Sequence, residues 1–436
     1  MNSSLESYAN ALWWHDSLVP PLAGHALQSD IEIDVAVVGG GYTGLSAALH
    51  LAEAGVRVAV FEARHIGFGA SGRNGGQIIP GLKYDPDDLV AKYGPEHGRQ
   101  LVQLAGGAAD FTFDLIERLN IRCRPVRAGW IQAAHSPLAL EPVVKRARQW
   151  QAEGVAVEIL DRDEVAARTG TAAHFGGWRD PRAGSVQPLD FLRGLAHAAA
   201  DAGAQICEQS EVQSLKPASD GPNARWQLGV GKHRVRARTV LIGTNGYPAK
   251  GLVPGLAQSV LPVQSMQLAT APLDATLSEK IMPGGVMLSQ TRKLAFYMRR
   301  TPAGGFMIGG RGAVGNTEAP GLMTALERGM LQLFPDLRGT QILHRWSGHV
   351  CLSLDGLPHL HETSPGLYAL QAYNGRGIAL ATRFGKMLAD EIVSRSPAIY
   401  PKTKVKPIVW HSLRRPVMGL GVRWYWMKDR LGLASK

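Results

Sequence analysis

Four apolar residues in a row, Val35-Ala36-Val37-Val38, are followed by a stretch with a different period. From Leu45 to Ala54 the apolar positions recur at helical spacing, and a second short apolar run, Val56 to Phe61, ends on Glu62. Runs this short read as buried strands, and the ten-residue periodic stretch between them reads as a helix. The joint between the first strand and the helix is Gly39-Gly40-Gly41-Tyr42-Thr43-Gly44. Strand, glycine turn, helix, strand and acid, in that order, predict a βαβ unit of the dinucleotide-binding kind.

Beyond Lys83 the pattern turns helical, with candidate helices at 87–93, 98–119 and 138–153 around a strand region at 121–134. A helix over 189–202 and an alternating strand at 205–208 follow, then a strand from Arg234 to Ile242 that closes on Gly243-Thr244-Asn245-Gly246. Alternation over 263–270, 295–299 and 306–308 predicts a sheet, and 322–334 an amphipathic helix stopped by Pro335. Near the C-terminus the order repeats: a strand at 366–372, the turn Tyr373-Asn374-Gly375-Arg376-Gly377, and a helix from Ile378 to Val393. A second GxGxxG, Gly310 to Gly315, follows a strand but leads into Asn316–Pro320 rather than a helix, so it reads as a turn and implies no separate NAD(P)H domain.

The chemistry of the first turn follows from its residue types. Gly39 permits the tight turn, Gly41 removes the Cβ that would block a pyrophosphate, and Gly44 lets the helix lie close on the sheet. The N–H groups that open the helix, at Tyr42 and Thr43, then face the phosphates. Glu62, with Ala63 and Arg64 after it, stands where a carboxylate binds a ribose diol, and it would repel the 2′-phosphate of NADP. A second glycine-dense loop, Ile66-Gly67-Phe68-Gly69-Ala70-Ser71-Gly72-Arg73-Asn74-Gly75-Gly76-Gln77, has no use in a plain NAD domain and suits a flavin lying beside the chain.

The runs GGGYTGLSAALHLAEAG and IGFGASGRNGGQ resemble the FAD-dependent amine and amino-acid oxidases related to D-amino-acid, glycine and sarcosine oxidases. The similarity is greatest to the gamma-glutamylputrescine oxidoreductase branch, and it extends over nearly the whole chain. It implies an α/β protein: a Rossmann-like FAD-binding domain, discontinuous in sequence (30–90, 185–260 and 345–395), with an inserted α+β substrate domain on an antiparallel-rich sheet (91–184 and 261–344). Residues 1–29 would be an arm and 396–436 a basic extension. FAD contacts are implied at Gly69, Ala70, Ser71, Arg73, Asn74, Gly75, Gly76 and Gln77. Val212 is implied at the adenine, Thr244 and Asn245 at a strand end, and Asn374, Gly375, Gly377 and Ile378 at the pyrimidine edge. There the N–H groups of Gly377 and Ile378 would stabilise charge on the reduced ring.

The resemblance also implies oxidation of an amine beside its nitrogen, with gamma-glutamylputrescine as the leading substrate, hydrolysis of the imine, and dioxygen as acceptor. The alternatives are an oxidase of a secondary or cyclic amino acid such as L-pipecolate or proline, and a membrane-docked dehydrogenase that passes electrons to a carrier. No catalytic triad or metal is required. Where sarcosine oxidases hold the substrate carboxylate with an Arg and a Lys, this chain has Gln77 and Ala379, which favours an amine whose carboxylate is distant or absent. Arg73, Arg299 and Arg376 remain as sources of positive charge. Met307 replaces a lysine thought to activate oxygen. Cys351 is out of register with a flavin-linking cysteine and Arg73 replaces a linking histidine, so FAD is expected to be non-covalent. Trp346, Tyr373, Arg376 and Tyr297, with Trp130, are the expected walls of the amine cavity, and His349 is expected to be structural.

Composition adds limits. At 436 residues the chain suits two domains. Three scattered cysteines, no signal-peptide pattern and no long apolar run point to a reducing cytoplasm. Net charge is +11, of which +8 lies between Lys402 and Lys436, so the body has no nucleic-acid-binding character. The tail from His411 to Leu433 alternates basic and apolar residues as a peripheral membrane segment would; packing over the substrate entrance is the favoured alternative. The paired Trp13-Trp14 are expected to pack on the body.

Overall fold

Strand Ile31–Val38 (β1) lies near the middle of an eight-stranded sheet in the computed structural model, which describes residues 11–218, 225–247, 251–311, 320–394 and 396–431. Helix Tyr42–Glu53 (α1) leaves β1 through the glycine turn, and strand Val58–Phe61 (β2) returns parallel to β1, with Val38 beside Phe61. His233–Ile242 pairs with β1 from the other side, and Leu367–Gln371 continues the parallel set. Gln205–Cys207 closes the β2 edge in parallel, while His359–Ser364 is antiparallel at the opposite edge. The register sets Val38, Phe61, Ile242 and Ala369 in one row, so the C-terminal ends of four strands open at the same rim. Open α/β sheets bind ligands at such rims.

A second eight-stranded sheet runs from Ile342–Leu352 through Leu261–Pro272, Gly305–Arg311, Tyr297–Arg300, Met287–Gln290, Trp130–Ala133 and Gly177–Asp180 to Glu158–Leu160. All its pairings are antiparallel except Met287–Gln290 with Trp130–Ala133. The expected boundary at residue 345 falls inside the Ile342–Leu352 strand, which belongs wholly to this second sheet.

Each face of the first sheet has its own core. Val35 and Val37 pack towards the helices, while Ala36 and Val38 pack with Leu228 and Val240 on the other side, as alternation along a strand requires. The helix expected over 98–119 is two helices, Pro95–Gly106 and Ala108–Arg118, which meet at Gly107. Gly106 sits against the Trp150 ring, where a Cβ would lie 3.0 Å away. The motif at Gly310 to Gly315 has Gly310 and Arg311 at the end of a strand, and its remaining residues lie outside the described ones.

Helix Gly377–Ser394 crosses α1 at very short range. A Cβ on Gly385 would come 2.6 Å from the Thr43 carbonyl oxygen and 2.8 Å from the Ser46 Cβ. The Ser46 hydroxyl donates to the Thr382 carbonyl at 2.6 Å, and the Thr43 and Tyr373 hydroxyls are bonded at 2.6 Å. Within the turn before α1, a Cβ on Gly44 would lie 2.1 Å from the Gly39 carbonyl oxygen. Replacing Gly385 by Ala is therefore expected to cost roughly 1–3 kcal/mol, the scale of overpacking in a core, measured by urea unfolding. An unchanged midpoint would mean that the two helices have slack at this crossing.

Candidate active site

The rim of the first sheet faces a cavity of roughly 1500 Å³ that reaches across to the second sheet. A drug-sized ligand needs about 300–1,000 Å³, so this volume has room for a dinucleotide and a small substrate together. At one end stand Gly39, Gly41, Tyr42 and Thr43, with Glu62, Ala63 and Arg64 beside them and Val212 opposite. Gly39 has φ +104°, which a side chain would strain. A Cβ on Gly41 would project into the gap before Ser71, 3.0 Å from its hydroxyl. The Tyr42 N–H donates to that hydroxyl at 3.3 Å, so the opening of α1 and the second glycine loop enclose one small cradle. Glu62 accepts from the Gly40 and Arg64 N–H groups, both at 2.9 Å. Burial pushes the Glu62 carboxyl up, and these two bonds oppose the shift. Each carboxylate oxygen keeps acceptor capacity, and the residue borders the cavity, so it could accept from a ribose diol there.

The second loop is braced from within. Asn74 donates to the Ser71 carbonyl at 2.9 Å and accepts from Gly76 N–H at 2.8 Å. Gly69, Ala70, Ser71, Arg73, Asn74, Gly75 and Gln77 all border the cavity. Gly44 and Gly76 do not; they are contact points of the backbone, Gly76 with φ +68° and a would-be Cβ 2.4 Å from the Val186 carbonyl oxygen. Thr244 and Asn245 line the same wall, and the Asn245 side chain accepts from Ala372 N–H at 2.8 Å. That bond ties the central turn to the C-terminal one, where Asn374, Gly375, Gly377 and Ile378 border the cavity. Ala372 holds φ +64° there, a conformation that costs a non-glycine residue roughly 1–2 kcal/mol. Two helix N-termini thus open at the two ends of one cavity, a setting that could hold a flavin dinucleotide with its diphosphate at the first.

The expected amine-cavity residues separate on inspection. Tyr297 borders the cavity, and its hydroxyl accepts from Gln267 Nε2 at 2.6 Å and is bonded to Ser265 Oγ at 2.9 Å. Tyr373 borders it with its ring, since its hydroxyl is engaged by Thr43. Arg376 lines it, donates to the Pro80 carbonyl and lies 5.7 Å from the Trp130 ring centre. Trp346 does not border the cavity and is corrected to a structural role. It is 1% exposed, donates to the Arg73 carbonyl at 2.9 Å and meets Trp13 edge-on. Arg299 is likewise walled off, between the Gly76 carbonyl and the Trp13 ring, and burial lowers its pKa to about 9. Met307 is fully buried away from the cavity, whereas His349 does border it.

Two groups that border the cavity carry no motif. One is Lys83, together with Arg146. The other is the C-terminal helix Arg414–Arg430, whose Val417, Met418 and Tyr425 form part of the wall with Trp410. Its Asp429 carboxylate is buried and accepts from the Lys293 and Leu294 N–H groups at 3.1 and 3.0 Å, which pins the helix to the second sheet. The inner face that suggested a membrane segment is thus used in packing, while Leu420 and Trp424 stay exposed outside. No helix among the described residues is long and apolar enough to cross a membrane.

Comparison with known proteins agrees with this geometry: the family described as FAD dependent oxidoreductase (DAO) matches residues 34–391. The chain belongs to that family. It is an FAD-dependent oxidoreductase that acts on C–N bonds of amines or amino acids. It is 29% identical over 411 residues to gamma-glutamylputrescine oxidoreductase of Escherichia coli (strain K12), covering 93% of this chain and 95% of that one. It is 28% identical over 382 residues to glycine oxidase of Geobacillus kaustophilus (strain HTA426), covering 84% and 94%. The solved structure of glycine oxidase from Geobacillus kaustophilus superposes with a TM-score of 0.73 at 24% identity, over 87% of this chain and 99% of that one. The DAO fold, with its Rossmann-like part and antiparallel-rich partner sheet, is therefore shared.

Two outcomes follow. Trp346→Phe removes one buried hydrogen bond and some packing, so it should lower stability by about 1–3 kcal/mol while KM for an amine stays unchanged; a raised KM at unchanged stability would return Trp346 to the cavity. Acid precipitation should leave the yellow colour in the supernatant. Burial pushes the Cys351 thiol up to about 12, away from the thiolate that a covalent link needs, and colour in the pellet would contradict this.

Proposed function

We propose that this enzyme oxidises an amine whose carboxylate is far from the oxidised carbon or absent. Gamma-glutamylputrescine is the leading substrate and dioxygen the leading acceptor. The observation that carries the reading is the cavity wall at Gln77. Its amide donates to the Met298 carbonyl at 3.2 Å and presents no charge, at the position where sarcosine oxidases hold a carboxylate with an Arg. Ala379, at the position of their Lys, is fully buried. A small amino acid oxidised beside its own carboxylate would lose two charged hydrogen bonds, each worth roughly 1.5–3 kcal/mol. Similarity to the Escherichia coli enzyme over nearly the full length of both chains supports the same substrate class.

Bound FAD supplies the two-electron chemistry: hydride leaves the carbon beside the amine nitrogen, the imine hydrolyses to an aldehyde, and dioxygen is reduced to hydrogen peroxide. The protein's task is to hold the amine and keep water away. Tyr297 is suited to the first. Burial keeps its phenol protonated, Gln267 donates to its oxygen, and Ser265 Oγ can accept the hydrogen bond from its O–H. One lone pair is left to accept an amine N–H. Trp130, whose ring nitrogen donates to Ser289 Oγ at 3.0 Å, and the Tyr373 ring supply apolar walls that exclude water from the reacting carbon.

An anaerobic panel of amines, read by loss of flavin absorbance, tests the reading. Gamma-glutamylputrescine should bleach the flavin faster than glycine, sarcosine or L-proline; bleaching by L-proline or L-pipecolate with none by gamma-glutamylputrescine would overturn it. On readmitting air, hydrogen peroxide should form, and its absence would move the acceptor to another carrier. Tyr297→Phe should lower kcat/KM by roughly tenfold at unchanged FAD content, as loss of one positioning hydrogen bond predicts.

A further inference from the structure

Charge is distributed unevenly around the cavity. The acids that border it, Glu62 and Glu211, both stand at the end where β2 and Val212 meet. The far end carries Lys83, Arg146, Arg292, Lys293, Arg311 and Arg376 with no carboxylate on the wall. The acids behind that wall are already engaged. Asp85 accepts from Arg146, Asp180 is paired with Arg182 at 2.6 Å, and Asp429 takes two backbone N–H groups.

The cations of this group differ in their support: Lys83, like Arg292 and Arg311, has no hydrogen-bond or ion-pair partner among the described residues. Arg146, by contrast, also donates to Gln132 at 2.7 Å, and Arg376 to the Pro80 carbonyl. The Lys83 side chain is exposed on the cavity wall, and the protein packed around that wall still disfavours its charge. Burial lowers its pKa to about 7, and Arg376, then Arg146, Arg311 and Lys293, act in the same direction. An unpaired lysine ringed by four cations is a costly arrangement for a folded chain to hold. An anion arriving from the cavity removes that cost, and it gains an ammonium with three unused donors.

We propose that Lys83, flanked by Arg376 and Arg146, recognises a carboxylate that the amine substrate carries at a distance from the carbon being oxidised. This rests on the amine-oxidase reading above and adds the residue that sets its preference for a tail bearing a carboxylate. Lys83 follows Pro80-Gly81, beyond the flavin loop, and Arg376 reaches this place because Gly81 has no side chain; a Cβ there would stand 3.1 Å from the Arg376 guanidinium. The subsite is thus assembled from three distant pieces of chain, outside the two positions where a carboxylate beside the reacting carbon would be held.

The test compares gamma-glutamylputrescine with the amine that lacks only its carboxylate, the 4-aminobutyryl amide of putrescine, on the FAD-loaded enzyme. Wild type should favour the carboxylate-bearing amine by about tenfold or more in kcat/KM, the size of one charge-assisted hydrogen bond. Lys83→Gln should remove that preference by raising KM for gamma-glutamylputrescine about tenfold, with kcat and the rate on the carboxylate-free amine unchanged; Lys83→Arg should keep most of it. An equal loss on both amines, or a preference that survives in Lys83→Gln, would overturn the assignment. If neither amine reduces the flavin, the substrate reading fails, and the subsite is judged separately by titrating glutarate against glutaramide into wild type and following the flavin spectrum. Tighter binding of glutarate, lost in Lys83→Gln, supports the subsite; equal affinity for the two refutes it.

Discussion

The crossing of the Gly377–Ser394 helix over α1 is the contact on which the site depends. The first glycine turn and the last are more than three hundred residues apart in sequence, and each ends a parallel strand of the same sheet. Their helices can share one cavity only if the two backbones nearly touch, and Gly385 makes that possible beside Thr43 and Ser46. The hydroxyl bonds of Ser46 to Thr382 and of Thr43 to Tyr373 lock the crossing at the end nearest the cavity. Two helix N-termini then point into one space, a favourable setting for a ligand with negative charge at its middle and at one ring edge.

The second sheet completes the enclosure and decides what else can enter. Its strands bring Tyr297, Gln267 and Ser265 to the cavity as a hydrogen-bonded set, and its loop at Lys293–Leu294 grips Asp429 so that the C-terminal helix forms the outer wall. The carboxylates on the cavity wall stand at the end near Val212, where Arg64 accompanies Glu62, and the far end carries cations alone. An amine without a carboxylate gains nothing from these cations, whereas one with a carboxylate at its far end is held there and orders its reacting carbon as a consequence.

Much of the FAD cradle could be read from the chain because its logic is local. The turn from Val38 to Gly44, the acid at Glu62 and the glycines around Ser71 each act through their own backbone or near neighbours, and the periods of two and 3.6 mark the elements between them. What could not be read depends on long-range packing. Trp346 has the same identity whether it faces a substrate or Trp13, and only the fold turns its ring nitrogen to the Arg73 carbonyl. Arg299 lies two residues beyond Tyr297 on the same strand, a spacing that puts both on one face, yet it is buried behind Gly76. Lys83 carries no motif, and nothing near it in sequence distinguishes it from a surface lysine. The break at Gly107 lies next to Gly106, which packs against Trp150, a contact across more than forty residues. The basic tail was ambiguous because amphipathic helices look alike whether they cover a protein or a lipid surface.

The most direct measurement is titration of the cofactor-stripped protein with FAD, followed by flavin absorbance and by the thermal midpoint. Two helix N-termini converging on one cavity predict saturation at one FAD per chain and a midpoint that climbs with the logarithm of FAD concentration, with NADP causing no such rise. A protein that stays colourless in excess FAD, at an unmoved midpoint, would contradict the account at its base.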